Sequence, residues 1–493
     1  MPDLKQKPVV NKHQFDVIII GAGFSGLAAG IRLQQQNINN FIVIEKSSEV
    51  GGVWRENTYP GCECDVPSSL YSYSFAPNPN WSHIFAKQKE IQQYIKDVSK
   101  RFNMDQHLLF NTELYTAHWS TEDHVWSVET SQGNYTARFV FFATGPLSEP
   151  TTPAVEGLDR FNGKVFHSAQ WDHSVDLSHK RVAVVGTGAS AIQIIPAIQP
   201  IVDQLYVFQR TAPWVIPKPN LVLHDASKNV QQKVPFTMHS LRKVTSISMD
   251  MFSASVNQPK ALDLVGKGLI NWMYYQIQDP VLREKVRPKF TLGCKRILFS
   301  NTYYPALAAN NVQLFDQGLS QVTENGVLVD GKEIPLDIIV WSTGFEVAKP
   351  PIAKRIMTKN GVILDEVWQD QTVQAYKGCV VKDLPNAFML LGPNSISYNS
   401  LISAAENQVN YAVKAIRFIL DNQLKGFELN SHADKQYNQK LQHKLAGTVF
   451  NQGGCASYYL DEHKTNVVNY PWTTQYMTND LKQFDHYSYI FYR

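Results

Sequence analysis

One short plan occurs twice in this chain of 493 residues, and it limits the fold more than any other feature. Phe15–Ile20 reads FDVIII, an apolar run of the kind that forms a parallel strand buried on both faces. It enters a glycine cluster, Gly21, Gly23 and Gly26 with Phe24 and Ser25 between them, and the helical pattern LAAGIRLQQQ follows. Arg181–Val185, RVAVV, repeats the plan. It enters Gly186, Thr187, Gly188, Ala189, Ser190 and Ala191, and again a helix follows. GxGxxG or GxGxxA between strand and helix lets the backbone turn tightly and approach a pyrophosphate at the helix N-terminus. The chain is therefore read as α/β, with two dinucleotide-binding (Rossmann-like) domains.

The two copies differ at one informative place. After the first turn, the strand Phe41–Ile44 ends at Glu45, 22 residues beyond Gly23, with Lys46 next. A carboxylate there accepts hydrogen bonds from free ribose hydroxyls. After the second turn, Leu205–Phe208 leads to Arg210 and Thr211, and Arg210 is 22 residues beyond Gly188. A guanidinium there pairs with a phosphate. The first site suits FAD and the second suits NADPH. A strand-end arginine on an ordinary surface is the plainer alternative, and the repeated register weighs against it.

Three further stretches belong with these sites. The loop from Gly51 to Asp65 is punctuated by glycine and proline and carries Gly52, Val53 and Trp54. Residues 161–172, FNGKVFHSAQWD, lie between the two turns. Taken alone, the latter is a turn at Asn162-Gly163 followed by a strand whose His167 packs in a core. Lys295 and Arg296 follow a glycine turn at Gly293, after a polar-apolar insert that spans 226–290. In the insert, Leu262, Val265, Leu269, Trp272 and Met273 keep helical spacing, which is more often core than pocket. Ala143-Thr144-Gly145 and Ser342-Thr343-Gly344 each close an apolar strand.

Both loop spacings, FxGxxxHxxxW[P/D] at 161–172 and [A/G]GxWxxxx[F/Y]P[G/M]xxxD at 51–65, resemble signatures of the type I Baeyer–Villiger monooxygenases, class B flavoprotein monooxygenases. The resemblance spans nearly the whole chain. It implies an FAD domain with an inserted NADP domain that carries a helical subdomain. The expected division is 1–150 and 343–493 for the FAD domain, 151–225 and 291–342 for the NADP domain, and 226–290 for the helical insert. It implies that NADPH reduces FAD, that reduced flavin and O2 give a C4a-peroxyflavin, and that one oxygen enters beside a ketone carbonyl to make an ester or lactone. Arg296 is then the catalytic cation and Asp65 its partner. Lys295 joins Arg210 at the 2′-phosphate, and Gly52, Val53, Trp54, Asp65 and Tyr71 join the cofactor contacts. The insert would line the substrate cavity. A helix from about Ser400 would point at the flavin, and Gly453–Leu460 would be a mobile loop over the nicotinamide. Tyr458 stands near the place where relatives often carry a tryptophan. The alternatives are oxygenation of sulfur or nitrogen in a small molecule such as a sulfide, and a non-catalytic nucleotide-binding redox sensor.

Composition adds exclusions. A net charge of +3 gives no footprint for nucleic acid. No apolar run reaches the length of a membrane span, and no metal is expected. Five cysteines, an odd and sparse set, argue for a reducing compartment, and the polar start carries no secretory core, so the cytoplasm is expected. Cys62 and Cys64 in an extended segment would sit almost 7 Å apart, too far for a relaxed disulfide, and are read as packing residues. The C-terminal aromatics, Tyr487, Tyr489, Phe491 and Tyr492, are expected to pack. Oligomeric state is left open.

NADPH should be preferred over NADH. Losing one charge-assisted phosphate contact costs about 1.5–3 kcal/mol. Arg210→Ala should therefore raise the KM for NADPH roughly tenfold to a hundredfold and leave NADH kinetics nearly unchanged. An equal loss with both nucleotides would make Arg210 structural.

Overall fold

The computed structural model describes residues 13–256, 259–455 and 458–493. Two sheets organise them. The first has eight strands and follows the order Ile356–Met357, Leu114–Ser120, Val125–Thr130, Gly133–Phe142, His13–Ile20, Phe41–Ile44, Leu108–Leu109, and Ala387–Met389 also pairs with Gly133–Phe142. Its central pairings, among them His13–Ile20 with Phe41–Ile44, are parallel. The alternating stretch 114–142 forms the antiparallel part, as its two-residue period requires. The second sheet is parallel throughout, in the order Val312–Phe315, Gln204–Phe208, Arg181–Val185, Ile338–Trp341, Lys164–His167. Both central strands are sealed from water: Val17, Ile18 and Ile19 in one, and Val182, Ala183 and Val184 in the other, are 0% exposed.

The two glycine turns are built alike. Gly21 has φ +105° and Gly186 has φ +115°. A Cβ on Gly21 would lie 2.7 Å from the carbonyl oxygen of Ala143, and one on Gly186 would lie 2.3 Å from that of Ser342. Each first glycine thus turns in a region closed to other residues while pressed on the end of the neighbouring strand. The Ala-Thr-Gly and Ser-Thr-Gly strand ends are the floors on which the turns rest.

The sheets allot the chain as follows. Strands from 13 to 142 and from 356 to 389 are in the first, and the five strands of the second fall between 164 and 341, a span that also holds two small two-stranded sheets, Val215–Ile216 with Leu298–Phe299 and Gly326–Val329 with Lys332–Pro335. Four helices occupy the insert: Asp225–Lys233, Pro235–Val256, Pro259–Gln276 and Pro280–Lys285. Leu262 and Met273 are buried and Leu269 and Trp272 half-buried, but Val265 is 52% exposed, so the expected stripe turns outward at its middle. Tyr489–Tyr492 pairs with Gly426–Leu429, and Tyr489 is buried. Tyr487 instead stands 81% exposed, because it precedes that strand in a short turn that faces solvent. Among the described residues no helix is long and apolar enough to cross a membrane, and no group of His, Cys, Asp and Glu is arranged to hold a metal.

The insert is fastened to the first sheet's helices by charge. Arg242, on Pro235–Val256, donates to the carbonyls of Leu70 (2.9 Å) and Ser72 (2.7 Å) and pairs with Glu406 at 3.3 Å. Asp250, two turns on, accepts from Asn399 and from the backbone N–H groups of Thr474 and Gln475, at the start of the helix Thr474–Asp480. Burial pushes the Glu406 carboxyl above its usual range, and Arg242 and Ser74 work against that rise.

Removing Arg242 would leave Glu406 buried without its cation, at a cost of about 3–5 kcal/mol. Arg242→Met should lower the melting temperature and expose the helix Pro235–Val256 to proteolysis. Adding Glu406→Gln should recover much of the loss. A single variant as stable as the parent would show that the pair does not fasten the insert.

Candidate active site

The first turn opens into a cleft of about 210 Å³. Gly21, Gly23, Phe24 and Ser25 form one wall, with Glu45, Lys46, Gly52, Val53 and Tyr71 beside them. Gly26 packs beneath, against the carbonyl of Gly21. Gly23 and Gly52 face each other so closely that a Cβ on Gly52 would come within 3.2 Å of the Gly23 Cα, so two bare backbones frame the entrance. Glu45 is 5% exposed. Its carboxylate accepts from the N–H groups of Ala22 (2.8 Å) and Ser47 (3.0 Å) and from Arg55 (3.3 Å). A carboxylate has about four acceptor positions, so one remains for a hydroxyl. Trp54 is buried rather than on the cleft wall, and its ring N–H donates to the Tyr71 hydroxyl at 2.9 Å. The far wall is the first turn of the helix Leu401–Asp421, with Leu401, Ile402 and Ala405. Backbone cradle, carboxylate and helix N-terminus together fit an adenine dinucleotide. Arg55, Thr112 and Arg355 also reach this cleft, and the sequence reading did not name them.

At the second turn, Gly188 and Ala189 are exposed, with Thr187 and Ser190 half-buried and Ala191 buried at the start of the helix Ala191–Ile198. The Thr187 hydroxyl donates to the Thr211 carbonyl at 3.2 Å, which ties the turn to the end of the next strand. Arg210 lies at that end, exposed. Lys295 has come close to it from far along the chain. Burial and then the Arg210 charge push the Lys295 ammonium below the usual lysine range. Two cations that repel each other at a strand end, with no anion in reach among the described residues, fit a phosphate.

Arg296 turns the other way. Its Nε donates to Asp65 Oδ2 at 3.0 Å, and its Nη2 reaches Oδ1 at 2.9 Å and Oδ2 at 2.8 Å. This fork joins a loop of the first domain to the Lys295-Arg296 turn beside the second. The Asp65 charge, working against burial, raises the Arg296 pKa above its already high value, so the guanidinium is a permanent cation. Tyr398 braces the turn from the C-terminal part of the chain, its hydroxyl donating toward the carbonyls of Gly293 (2.8 Å) and Lys295 (3.2 Å).

A disulfide between Cys294 and Cys455 braces it as well. This corrects the cysteine reading: of five cysteines, Cys62, Cys64 and Cys379 are free and two are joined. Connectivity across 161 residues has no local signal in a sequence. It also changes the picture of Gly453–Leu460. Cys455 is bonded to the residue before Lys295, and the Thr291 N–H donates to the Gly453 carbonyl at 3.0 Å. Tyr458 is 54% exposed and Tyr459 buried, while Ala456 and Ser457 lie outside the described residues.

The stretch 161–172 runs along the edge of the second sheet. His167 is buried opposite Trp341, one residue before Ser342-Thr343-Gly344, and its Nδ1 accepts from the Ala169 N–H. Trp171 packs edge-on against Phe166. Asp172 is half-buried and accepts from Ser174. His173 meets Thr58 at 2.7 Å, which joins this stretch to the 51–65 loop.

Comparison with known proteins places this geometry. A protein 42% identical over 95% of this chain and 91% of its own length is a Baeyer–Villiger monooxygenase of Streptomyces coelicolor. The chain belongs to the Baeyer–Villiger monooxygenases. A family model described as pyridine nucleotide-disulphide oxidoreductase matches residues 18–262. Among solved structures, an oxidised steroid monooxygenase bound to NADP superposes with a TM-score of 0.87 at 29% identity, covering 97% of this chain and 99% of the other. OTEMO in complex with FAD and NADP gives 0.85 at 25% identity, covering 95% and 97%. The agreement extends over both sheets and the insert, so the two-sheet α/β architecture is that of this family.

The depressed Lys295 ammonium makes a pH prediction. Lys295 binds a phosphate only while protonated. Its contribution is complete below its lowered pKa and is lost as pH rises through it, earlier than for an ordinary lysine. The KM for NADPH should climb through the alkaline range in the parent protein, and Lys295→Arg should flatten that climb. A parent profile already flat would remove Lys295 from the phosphate site.

Proposed function

We propose that Arg296 is the catalytic cation of this Baeyer–Villiger monooxygenase, that Asp65 sets its direction, and that a small-molecule ketone is the substrate. As a member of the family the chain is an FAD- and NADPH-dependent flavoprotein monooxygenase. It consumes a ketone, O2, NADPH and a proton, and yields an ester or lactone, NADP+ and water. The observation that carries the residue assignment is the forked Arg296–Asp65 pair, which ties the 51–65 loop to the turn that carries Lys295.

When bound, FAD supplies the two-electron relay from NADPH and the activation of O2. The residues of this chain do the rest. The first turn, Glu45 and the wall formed by Gly52, Val53 and Tyr71 would hold FAD. The second turn would hold the NADPH pyrophosphate, with Arg210, Thr211 and Lys295 at its 2′-phosphate. The first turn of Leu401–Asp421 lines the flavin cleft, and the partial positive charge of a helix N-terminus favours negative charge placed there. The oxygen that attacks a ketone carbonyl carries negative charge beforehand, and on attack that charge passes to the carbonyl oxygen. A fixed cation in a water-poor site stabilises both. Arg296 stays charged at every working pH, and its two bonds to Asp65 leave the guanidinium oriented rather than free. Ketone oxidation is favoured over oxygen transfer to sulfur or nitrogen for the same reason, because those acceptors need an electrophilic oxygen and no adjacent cation. The domain boundaries at 150, 225, 290 and 342 are part of this proposal. So is a location in the cytoplasm, the compartment that holds NADPH as its working reductant.

Anaerobic mixing with NADPH, followed by oxygen and a ketone, with products identified by mass spectrometry, tests the assignment. Arg296→Ala should cut ester formation on the order of a hundredfold or more while flavin reduction proceeds. Arg296→Lys should not restore it, since an ammonium lacks the fork that Asp65 grips. Ester made by Arg296→Ala at near the parent rate would overturn the catalytic role. Sulfoxide from a sulfide panel with no ester from ketones would overturn the substrate class.

A further inference from the structure

Two residues before Asp65 on the same extended segment stands a second carboxylate, Glu63, and it meets a second cation. Lys218 is buried, 5% exposed, yet carries its ammonium into the interface between the domains. Nζ lies 2.6 Å from Glu63 Oε1 and 3.0 Å from the carbonyl of Cys64. Asn220 donates to the other Glu63 oxygen at 3.1 Å. Gln193, on the helix after the second glycine turn, grips the backbone of the same residue. It accepts from the Glu63 N–H at 3.2 Å and donates to the Glu63 carbonyl at 3.0 Å. Glu63 therefore gives its side chain and both main-chain groups to the second domain. Glu63 and Asp65 are two residues apart on one stretch of backbone, and each carries its carboxylate to a cation from far along the chain.

The two cations are likewise on one frame. The strand Val215–Ile216 pairs in parallel with Leu298–Phe299, so the segments that carry Lys218 and Arg296 are bonded side by side. Asn301 closes that frame, accepting from the Lys218 N–H at 2.9 Å and donating to the Lys218 carbonyl at 2.7 Å. Two carboxylates at a fixed spacing thus meet two cations at a fixed spacing. The two pairs differ on the cation side: the Lys218 side chain keeps 4% of its surface and Arg296 35%, while Glu63 and Asp65 are alike at 23% and 22%.

We infer that Lys218 is a positioning residue for the oxygenation step: through Glu63 it sets the register of segment 63–65, so that Asp65 offers both oxygens to Arg296. The pair is a poor source of net stability, because desolvating the Lys218 ammonium offsets its attraction to Glu63. What it supplies is one allowed placement. A buried ammonium tolerates no slip of the carboxylate that pairs with it, and a slip of segment 63–65 would carry Asp65 away from the guanidinium. This inference rests on the assignment of Arg296 proposed above.

The test uses the FAD-loaded enzyme and four variants: Lys218→Met, Lys218→Arg, Glu63→Gln, and Lys218→Met made on top of Asp65→Asn. Two quantities are read. One is kcat and KM for a ketone and for NADPH. The other is the rate at which phenylglyoxal modifies Arg296, followed by peptide mass spectrometry, which reports the Asp65 grip whatever Arg296 does in the reaction. Lys218→Met should quicken modification of Arg296 and lower kcat about tenfold to a hundredfold, the scale of a small misplacement of a catalytic group. The KM for NADPH should move much less. Glu63→Gln should do the same, and Lys218→Arg should restore part of both. On the Asp65→Asn background, Lys218→Met should have no further effect, because the route through Asp65 is already cut. If Lys218→Met fails to load FAD, Glu63→Gln alone decides. Unchanged Arg296 protection in a folded variant would overturn the inference, and so would equal losses with and without Asp65. Lost protection with unchanged ketone turnover would leave the positioning intact and overturn the catalytic reading of Arg296 instead.

Discussion

The Asp65–Arg296 pair crosses from one folded unit to the other, and the site exists only where that crossing is made. Asp65 is carried by the loop after the first glycine turn, and Arg296 by the turn after the helical insert. Neither charge lies deep enough to demand the other for solubility, and a part-exposed pair contributes little to stability. Its value is geometric. A planar fork held by both carboxylate oxygens has one orientation, and it is set across the two folded units rather than within either. Lys218 with Glu63, Gln193 with the Glu63 backbone, and Tyr398 with the Gly293 and Lys295 carbonyls all converge on one or other member of this pair.

The same economy of means explains how one chain makes two different sites. Both turns use a glycine at positive φ resting on the carbonyl of a strand end, Ala143 in one and Ser342 in the other. Both are followed by a helix and a strand. The discrimination between cofactors then falls to the residue at the end of that second strand. Glu45 is neutralised by Arg55 and by backbone N–H groups, and keeps acceptor capacity for hydroxyls. Arg210 has no carboxylate paired with it among the described residues and is joined by Lys295, whose ammonium is disfavoured by burial and by the Arg210 charge.

These turns were legible in the sequence because everything that makes them is local: an apolar run, glycines a few residues apart, a helical period, and a terminal residue at a fixed count. The fold class and order of parts follow from reading that pattern twice. What escaped is long-range. Arg55 was passed over because its partner Glu45 had already been given to the ribose. Lys218 reads as an ordinary surface lysine in the run Pro217, Lys218, Pro219, Asn220, and nothing local reveals that Glu63, 155 residues away, is its counter-charge. Val265 sits on a good apolar stripe and still faces water, because periodicity gives a face but not what covers it.

The turn at 293–296 is where these long-range ties accumulate, and their arrangement has a mechanical consequence. Its side of the second domain is fixed by the pairing of Leu298–Phe299 with Val215–Ile216. Its carbonyls are fixed by Tyr398, and Cys294 is bonded to Cys455. Arg296 itself is fixed by Asp65. The turn is thus attached to the N-terminal part of the first domain, to its C-terminal part, and to the second domain at once. The C-terminal part of the chain is thereby joined covalently, at Cys455, to a residue two positions from Arg296. Placement of the guanidinium therefore draws on three parts of the chain that lie far apart in sequence, and loosening any one tie acts on the same four residues.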